Sequence, residues 1–280
     1  MSMSEADTRA NLIDVLLPLR GWTSDKIKRE ETAGKTWLDA QDNPVRDGGR
    51  TDYTLRVRPV QDGQPVAVAV IEAKAENLPP AHGLEQAKEY ARRLDVPFAY
   101  STNGHLFVEH DLFTGLTTDP CPLAQLPTPD ELTTRYEKGK GFSLLSPEAR
   151  PLVTKYDQGE GERRYYQDAA IRATLETMAG GQKRVLLSLA TGAGKTHIAV
   201  NLLKRISDAA GLRRALFVCD RDELRTQALT AFQNAFGANA APVAAGQPQK
   251  NARVLVATYQ TLGVDRDGDL SFLTKNYPED

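Results

Sequence analysis

The sequence is poor in cysteine and has no long apolar run, and both absences narrow the classes of protein it can belong to. Its two cysteines, Cys121 and Cys219, are far apart and show no CxxC spacing, so we expect neither a zinc site nor a disulfide framework. No apolar run reaches the length of about 18 residues that a membrane span requires. The N-terminal segment MSMSEADTRA lacks the basic and apolar regions of a signal peptide. We therefore expect a cytoplasmic protein.

An excess of either charge is missing as well. The 280 residues include 35 lysines and arginines against 37 aspartates and glutamates, so net charge does not indicate nucleic-acid binding. Any DNA-binding site has to be a local basic surface. The sequence also shows no internal repeat and no low-complexity tract. Its length suffices for about two domains, each with a core of its own.

The stretch RVLLSLATGAGKTH, residues 184–197, is typical of a strand, a phosphate-binding loop and a helix. Glycines in the loop allow backbone N–H groups to surround a phosphate, while the lysine supplies a positive charge and the following threonine a hydroxyl ligand for Mg²⁺. The alternative is a glycine-rich turn with an incidental lysine. The predicted nucleotide-binding residues of the loop are Thr191, Gly192, Ala193, Gly194, Lys195 and Thr196.

The hydrophobic pattern divides an α/β chain into three regions. Residues 1–116 read as a helix, two strands, a helix and two further strands, an order that predicts a compact mixed sheet with helices on it. Residues 117–160 hold many of the prolines and are interpreted as a connector. In residues 161–280 strands alternate with helices, which predicts a parallel sheet of the doubly wound type.

Three charged residues of the first region form a candidate catalytic set. Asp52 opens the first strand of a predicted hairpin, and the second strand ends in IEAK, so Glu72 and Lys74 point to one face of the sheet. The two carboxylates and the carbonyl of Ala73 are oxygen donors that suit Mg²⁺. A bound Mg²⁺ would acidify a water for attack on a phosphodiester, with Lys74 beside the nucleophile. This set is the D…(D/E)xK signature of a nuclease superfamily.

A cross-strand ion pair explains the same pattern equally well. The apolar run VAVAVI before Glu72 favours the site, because an unpaired charge at the end of a buried strand is costly. Gln86 and Tyr90 also favour it, since they lie four residues apart on the following helix and project from one face. They can hold a DNA backbone or position Lys74. The alternative for this pair is a polar helix face with a half-buried tyrosine.

A collinear series of motifs resembles the N-terminal part of the R subunit, the motor and endonuclease subunit, of type I restriction enzymes. The series runs from about residue 5 to about residue 265 and consists of TDYTLRV, VIEAKAE, EQAKEYA, YSTNGHLFVEHD, RYYQDAAI, ATGAGKT, CDRDELRTQ and VATYQTL. The resemblance implies a restriction-endonuclease-like PD-(D/E)xK domain in residues 1–116. It implies an incomplete first RecA-like lobe of a superfamily 2 helicase motor in residues 161–280, whose loop AxxGxGKT is a form that many such helicases use.

The resemblance also implies roles, cofactors and partners. Asp52, Glu72 and Lys74 would form the nuclease site with Gln86 and Tyr90 as its QxxxY motif, Glu5 would be an extra acid, and Gln167 would read the adenine of ATP. Mg²⁺ would be held by Asp52 and Glu72 in the nuclease and by Thr196 in the motor. The function implied is ATP-dependent translocation of double-stranded DNA coupled to its cleavage, in complex with methyltransferase (M) and specificity (S) subunits.

Two parts of a complete motor are missing from the sequence. It has no DExH motif and no second RecA-like lobe, so we expect a fragment of a longer subunit that binds ATP weakly or not at all and does not turn it over. Two alternatives stay open. One is a helicase and nuclease fusion of DNA repair or of another defence system. The other is a noncatalytic DNA- or partner-binding module whose carboxylates only form ion pairs.

Overall fold

The computed structural model describes residues 2–34, 36–38, 44–46, 48–155, 164–243, 249 and 251–262. Contacts within the chain divide it into two compact units, Met1–Val185 and Leu186–Asp280. This division lies downstream of residue 161, where the second domain is predicted to begin. The last part of the predicted helicase lobe, residues 263–280, falls outside the described residues.

The first unit begins with a helical stretch that changes its hydrogen-bonding pattern midway. It is α-helical in α1 (Glu5–Thr8), π-helical over Arg9–Ile13, and α-helical again in α2 (Asp14–Leu19). Ser4 starts it by capping the amide of Asp7, whose carboxylate bonds back to the Ser4 amide, the reciprocal arrangement of a capping box. Single π turns inside helices are often found at functional sites.

The remaining elements of the first unit follow in chain order. Five strands come first: β1 (Ile27–Thr32), β2 (Thr36–Leu38), β3 (Pro44–Arg46), β4 (Arg50–Val57) and β5 (Val66–Ala73). After them come α3 (Leu84–Leu94), β6 (Phe98–Thr102), β7 (Leu106–Asp111), β8 (Leu116–Thr117), β9 (Cys121–Pro122), α4 (Pro129–Lys140), α5 (Arg150–Val153) and α6 (Tyr165–Ala179).

A mixed sheet forms the centre of the first unit, as predicted. Its strand order in the described residues is β1-β4-β5-β6-β7-β8, with β9 on β7, while β2 and β3 pair separately. Strands β5 and β6 are parallel, because α3 carries the chain back across the sheet between them, and the other pairs are antiparallel. Strand β1 was not expected, since its sequence IKREET has almost no apolar residue.

Strand β5 and helix α3 make the core next to the candidate catalytic residues. All eight residues of β5 are buried. Helix α3 places Ala87, Ala91 and Leu94 in one apolar cluster with Val70 of β5 and Ala99 of β6. Burying a side chain such as leucine or valine contributes about 1.5–3 kcal/mol, so this cluster holds the helix firmly against the end of β5.

The segment predicted as a connector contributes buried side chains to the first unit. Leu132 and Tyr136 of α4 are fully buried, and the Tyr136 hydroxyl donates a hydrogen bond to Glu176 of α6. Arg172 of α6 donates to the backbone carbonyl of Leu94 at the end of α3. Helices α4 and α6 are thus tied to one another and α6 to α3, inside the unit that holds the mixed sheet.

The second unit contains the parallel sheet that was predicted. Its elements are α7 (Lys195–Asp208), β10 (Ala215–Cys219), α8 (Asp222–Phe236), β11 (Ala240–Pro242) and β12 (Val254–Thr258). The strands of this unit that the structure describes have the order β10-β12-β11, with every pairing parallel. Phe232 of α8 packs on Val254 and Val256 of β12.

One expectation for the second unit was wrong. The apolar run RVLLSLA before the phosphate loop was predicted to be a strand, but residues 184–190 form no strand, and Leu186 is 92% exposed. A strand needs a hydrogen-bonding neighbour, and in the part of the chain that the structure describes none pairs with this run.

None of the described helices is both long and apolar enough to cross a membrane.

Candidate active site

Strands β4 and β5 bring the two predicted carboxylates together. Tyr53 of β4 pairs with Ile71 of β5, so the next residues towards that edge, Asp52 and Glu72, are neighbours on one face of the sheet. The backbone N–H of Ala73 donates a 2.7 Å hydrogen bond to Oδ2 of Asp52. Asp52 and Glu72 are both buried, so two acidic groups share a region with little access to water.

A line of hydrogen bonds connects Glu72 to the helix α3. Nζ of Lys74 donates to Oε1 of Glu72 at 2.8 Å and to Oε1 of Gln86 at 3.2 Å. Nε2 of Gln86 then donates to the hydroxyl of Tyr90 at 3.1 Å. The structure therefore places the predicted QxxxY residues next to the predicted nuclease lysine, although the catalytic roles of these residues stay predictions.

Burial sets the protonation of the two acids. It raises the pKa of the Asp52 carboxyl above the ordinary value of 3.8, against the opposing effects of the Ala73 N–H and the Arg9 charge. Burial also raises the pKa of Glu72 to about 7, because the hydrogen bond from Lys74 offsets it only in part and the charge of Asp52 adds to it. Two carboxylates that resist ionisation in this way are stabilised by a nearby cation.

The cation already present beside Glu72 is Lys74. Burial alone would lower the pKa of Lys74, but the hydrogen bond and negative charge of Glu72 outweigh it and the pKa is raised. Lys74 therefore stays an ammonium ion with three protons to donate. Two of them go to Glu72 and Gln86, and Oε2 of Glu5, a further acidic oxygen, lies 3.8 Å from Nζ of Lys74.

The donor set fits a divalent cation in one specific respect. Oε2 of Glu72 is buried and has no hydrogen-bond partner among the residues that the structure describes. A buried carboxylate oxygen without a partner is costly, and Mg²⁺ takes such hard oxygen ligands. The described residues contain no group of three or more His, Cys, Asp and Glu side chains that could hold a metal ion. The site therefore offers two carboxylates, with backbone carbonyls and water left to complete the coordination.

The sequence analysis did not identify two residues that contact this site. Gly83, just before α3, lies so close to the site that a Cβ would meet Cε of Lys74 at 2.8 Å and Cγ of Glu72 at 2.9 Å. A glycine before a helix is an ordinary cap, so its sequence position gave no functional signal. Nη1 of Arg9 donates a 2.8 Å hydrogen bond to Oδ1 of Asp52. The one feature of the sequence that could have indicated a role for Arg9 is its position four residues after Glu5, on the same predicted helix.

The second unit carries the predicted phosphate loop in a turn conformation. Gly192 and Gly194 have φ values of 79° and 85°, the left-handed region that glycine tolerates best. Gly194 is the residue before α7 and, as a glycine, provides no side-chain cap for that helix. Nζ of Lys195 donates to the carbonyl of Ala190 at 3.1 Å. The loop thus presents a helix N-terminus and a lysine, the parts of an anion site.

The predicted adenine-reading residue lies elsewhere in the chain. Gln167 is buried in α6, which belongs to the first unit, whereas Thr191–Thr196 belong to the second. The structure therefore gives no joint geometry for Gln167 and the phosphate loop. A shared role in binding ATP stays a prediction.

Comparison with known proteins narrows the interpretation of both units. Residues 160–278 match the family described as Type III restriction enzyme, res subunit, which is a helicase-like domain. Over 270 residues the chain is 31% identical to the endonuclease subunit of the type I restriction enzyme EcoAI from Escherichia coli, covering 93% of this chain and 32% of that protein. The chain is homologous to the endonuclease subunits of type I restriction enzymes.

A second relative and a solved structure agree with this homology. The EcoKI endonuclease subunit from Escherichia coli strain K12 is 25% identical in an alignment 298 residues long, which covers 84% of this chain and 24% of that subunit. A fragment described as an HsdR subunit of a type I restriction enzyme from Vibrio vulnificus YJ016 is 30% identical, with a TM-score of 0.76 over 100% of this chain and 50% of its own. The chain thus spans a third or less of these two curated relatives and half of the solved fragment.

Proposed function

We propose that the first unit is a Mg²⁺-dependent DNA endonuclease domain of the PD-(D/E)xK type. One observation carries the proposal: Asp52 and Glu72 lie buried side by side, and Glu72 is linked through Lys74 to Gln86. Oε2 of Glu72 is buried without a hydrogen-bond partner among the described residues, and a bound divalent cation would satisfy it. Homology to endonuclease subunits of restriction enzymes points to the same chemistry.

Each residue of the site has a distinct role in this proposal. Asp52 and Glu72 would hold Mg²⁺ together with the carbonyl of Ala73. The bound ion would acidify a water molecule and neutralise charge on the scissile phosphodiester. Lys74, oriented by Glu72 and Gln86, directs its remaining proton at the nucleophile or at a phosphate oxygen. Tyr90 holds the amide of Gln86 in the orientation that Lys74 needs.

The second unit would bind ATP through residues Thr191–Thr196, with Thr196 as a ligand of the nucleotide's Mg²⁺. In the longer relatives of this chain we propose that such a motor moves double-stranded DNA past the nuclease, with ATP hydrolysis as the energy source. The endonuclease subunits to which the chain is similar belong to type I restriction enzymes. By this relation the partners of the intact protein would be methyltransferase and specificity subunits. Co-purification with them would distinguish this function from a repair-type helicase and nuclease fusion.

Metal titration tests the nuclease proposal directly. We expect calorimetry of the 280-residue chain to show binding of Mn²⁺ that is lost in both Asp52→Asn and Glu72→Gln. The matched control is Glu109→Gln, because Glu109 is a buried carboxylate of the same sheet that pairs with Arg135 and not with the site. The control should bind Mn²⁺ as the unaltered chain does.

The opposite result has a clear meaning. Asp52 is paired with Arg9, and Glu72 with Lys74, so a module with purely structural ion pairs is the competing function. Unchanged Mn²⁺ binding in both site variants, or no binding by the unaltered chain, would support that module. A positive titration would be followed by cleavage of plasmid DNA in Mg²⁺, which the same two substitutions should abolish.

A further inference from the structure

We propose that Arg9 is a built-in counter-ion which occupies Asp52 in the absence of metal and moves to Glu30 when a divalent cation binds. Arg9 would thereby set the metal affinity of the site, as a positioning residue. The inference rests on the proposed function, because it assumes that the cation binds at Asp52 and Glu72.

The hydrogen bonds of Asp52 provide the first argument. Both oxygens of its carboxylate are engaged, Oδ2 by the backbone N–H of Ala73 and Oδ1 by Nη1 of Arg9. A cation that binds Asp52 has to displace or share one of these donors. The Ala73 amide is fixed in β5, whereas the Arg9 side chain is 28% exposed and ends a flexible stem. Arg9 is therefore the donor that yields.

A second acceptor for Arg9 is already in place. Nη1 of Arg9 lies 3.8 Å from Oε1 of Glu30, and the side chain of Glu30 is 57% exposed. A small rotation of the guanidinium exchanges Asp52 for Glu30 without leaving the arginine uncompensated. When an arriving cation repels the positive charge of Arg9, the carboxylate of Glu30 is therefore close enough to pair with it.

The backbone of Glu30 has an unusual conformation at the position opposite Asp52. In the pairing of β1 with β4, Arg29 is opposite Tyr53 and Glu31 is opposite Thr51, whereas Glu30 has no strand-pairing partner among the described residues. Glu30 has a φ of 51°, a left-handed conformation that costs a non-glycine residue about 1–2 kcal/mol. The strain occurs at the residue that the register places opposite Asp52. Strain of this kind tends to persist where it serves a function.

The helix that carries Arg9 is irregular at the same place. The π-helical segment of the N-terminal stretch begins at Arg9 itself, so the change in helical pitch starts at the residue that reaches Asp52. One turn earlier, Oε2 of Glu5 lies 3.8 Å from Nζ of Lys74. The N-terminal helix thus places the acidic Glu5 near Lys74 and the cationic Arg9 on Asp52.

Calorimetric titration with Mn²⁺ in three variants tests the inference. We expect Arg9→Gln to bind Mn²⁺ about tenfold more tightly than the unaltered chain, since a hydrogen bond between charged groups no longer competes. Arg9→Lys keeps the charge and should stay within threefold of the unaltered chain. The control Arg29→Gln removes a neighbouring charge that pairs with Asp14, and it should change the affinity less than twofold.

Glu30 is tested by a double-mutant cycle. Glu30→Gln removes the negative charge of the second acceptor, so we expect weaker Mn²⁺ binding in the unaltered background and a smaller effect in the Arg9→Gln background. This non-additivity separates exchange of a partner from a general effect of charge, which would be the same in both backgrounds. Equal effects of Glu30→Gln in the two backgrounds would overturn the inference.

A measurement on the unaltered chain covers the case in which Arg9→Gln fails to fold. The Nε–H signal of Arg9 in nuclear magnetic resonance should shift on addition of Mg²⁺, with the same Kd that calorimetry with Mg²⁺ gives. An unmoved signal at saturation would overturn the proposal, and so would unchanged or weaker Mn²⁺ binding in Arg9→Gln. If Asp52→Asn abolishes binding while Arg9→Gln leaves it unaltered, only the role of Arg9 fails. If neither the unaltered chain nor Arg9→Gln binds metal, the nuclease proposal fails with it.

Discussion

The buried carboxyl of Glu72 makes a quantitative prediction about stability and pH. Its pKa in the folded chain is about 7, against an ordinary value of 4.5, and its side chain is only 5% exposed. The folded state therefore binds the proton more tightly than the unfolded state does. By linkage, stability falls as pH rises from about 4.5 to about 7 and is then level. The substitution Glu72→Gln removes this dependence.

The size of the effect follows from the difference between the two pKa values. A difference of about 2.5 pH units, at about 1.4 kcal/mol for each, gives about 3 kcal/mol in total. Part of the loss occurs below pH 5, so we expect the free energy of unfolding of the unaltered chain to fall by about 2.5 kcal/mol relative to Glu72→Gln between pH 5 and pH 8.

Tryptophan fluorescence during denaturation by urea, in buffer with a chelator, measures this change for the right part of the chain. The two tryptophans, Trp22 and Trp37, both lie in the first unit, and Trp22 is fully buried. The transition therefore reports the unfolding of the unit that contains Glu72. The chelator removes divalent cations that would stabilise the charged carboxylate.

Glu31 offers the matched control. Burial raises the pKa of its carboxyl, but the charges of Arg56 and Lys28 outweigh burial, and the pKa is lowered below 4.5. Its contribution to stability is present above the unfolded pKa and is lost only as pH falls below it. Glu31→Gln should therefore differ from the unaltered chain by a constant amount between pH 5 and pH 8. Parallel curves for Glu72→Gln and the unaltered chain would refute the reasoning about Glu72.

Two further predictions concern the N-terminal helix and the phosphate loop. Gly104→Ala should lower the free energy of unfolding of the first unit by about 3 kcal/mol, because Gly104 has a φ of 90° and an added Cβ would lie 2.5 Å from Cδ1 of Leu12; urea denaturation followed by tryptophan fluorescence measures it. Lys195→Ala should weaken binding of a fluorescent ATP analogue at least about tenfold, since it removes a charged donor to phosphate, and equilibrium dialysis measures this.

Both have controls in the same chain. Gly115 has a φ of 74°, and no atom of the described residues lies within 4 Å of an added Cβ, so Gly115→Ala should cost only about 1 kcal/mol, from backbone strain alone. Lys204 lies on the same helix as Lys195 and pairs with Asp208, so Lys204→Ala should leave nucleotide binding unaltered. Equal losses for the two glycine variants, or for the two lysine variants, would contradict these explanations.

The local hydrophobic pattern was enough to predict most helices and strands, but it failed where strand formation depends on pairing with a distant segment. Helix α3 and strands β4, β5, β6 and β7 were predicted because their apolar spacing follows the helical or the strand period. Strand β1 was missed since its charges are satisfied by contacts across the sheet, such as Glu31 with Arg56. The run RVLLSLA was predicted as a strand from composition, but a strand also requires a neighbour, which composition does not supply.

The amino-acid sequence by itself determined the candidate chemistry. The period of two in a strand places Glu72 and Lys74 on one face, and the spacing of four in a helix places Gln86 and Tyr90 on another, so local geometry alone grouped them. Only the tertiary structure decided that Lys74 bridges these two pairs and that Arg9 and a strained Glu30 stand beside Asp52. Arg9 is 43 residues from Asp52 along the chain, and a contact at that separation depends on how helices and strands pack together.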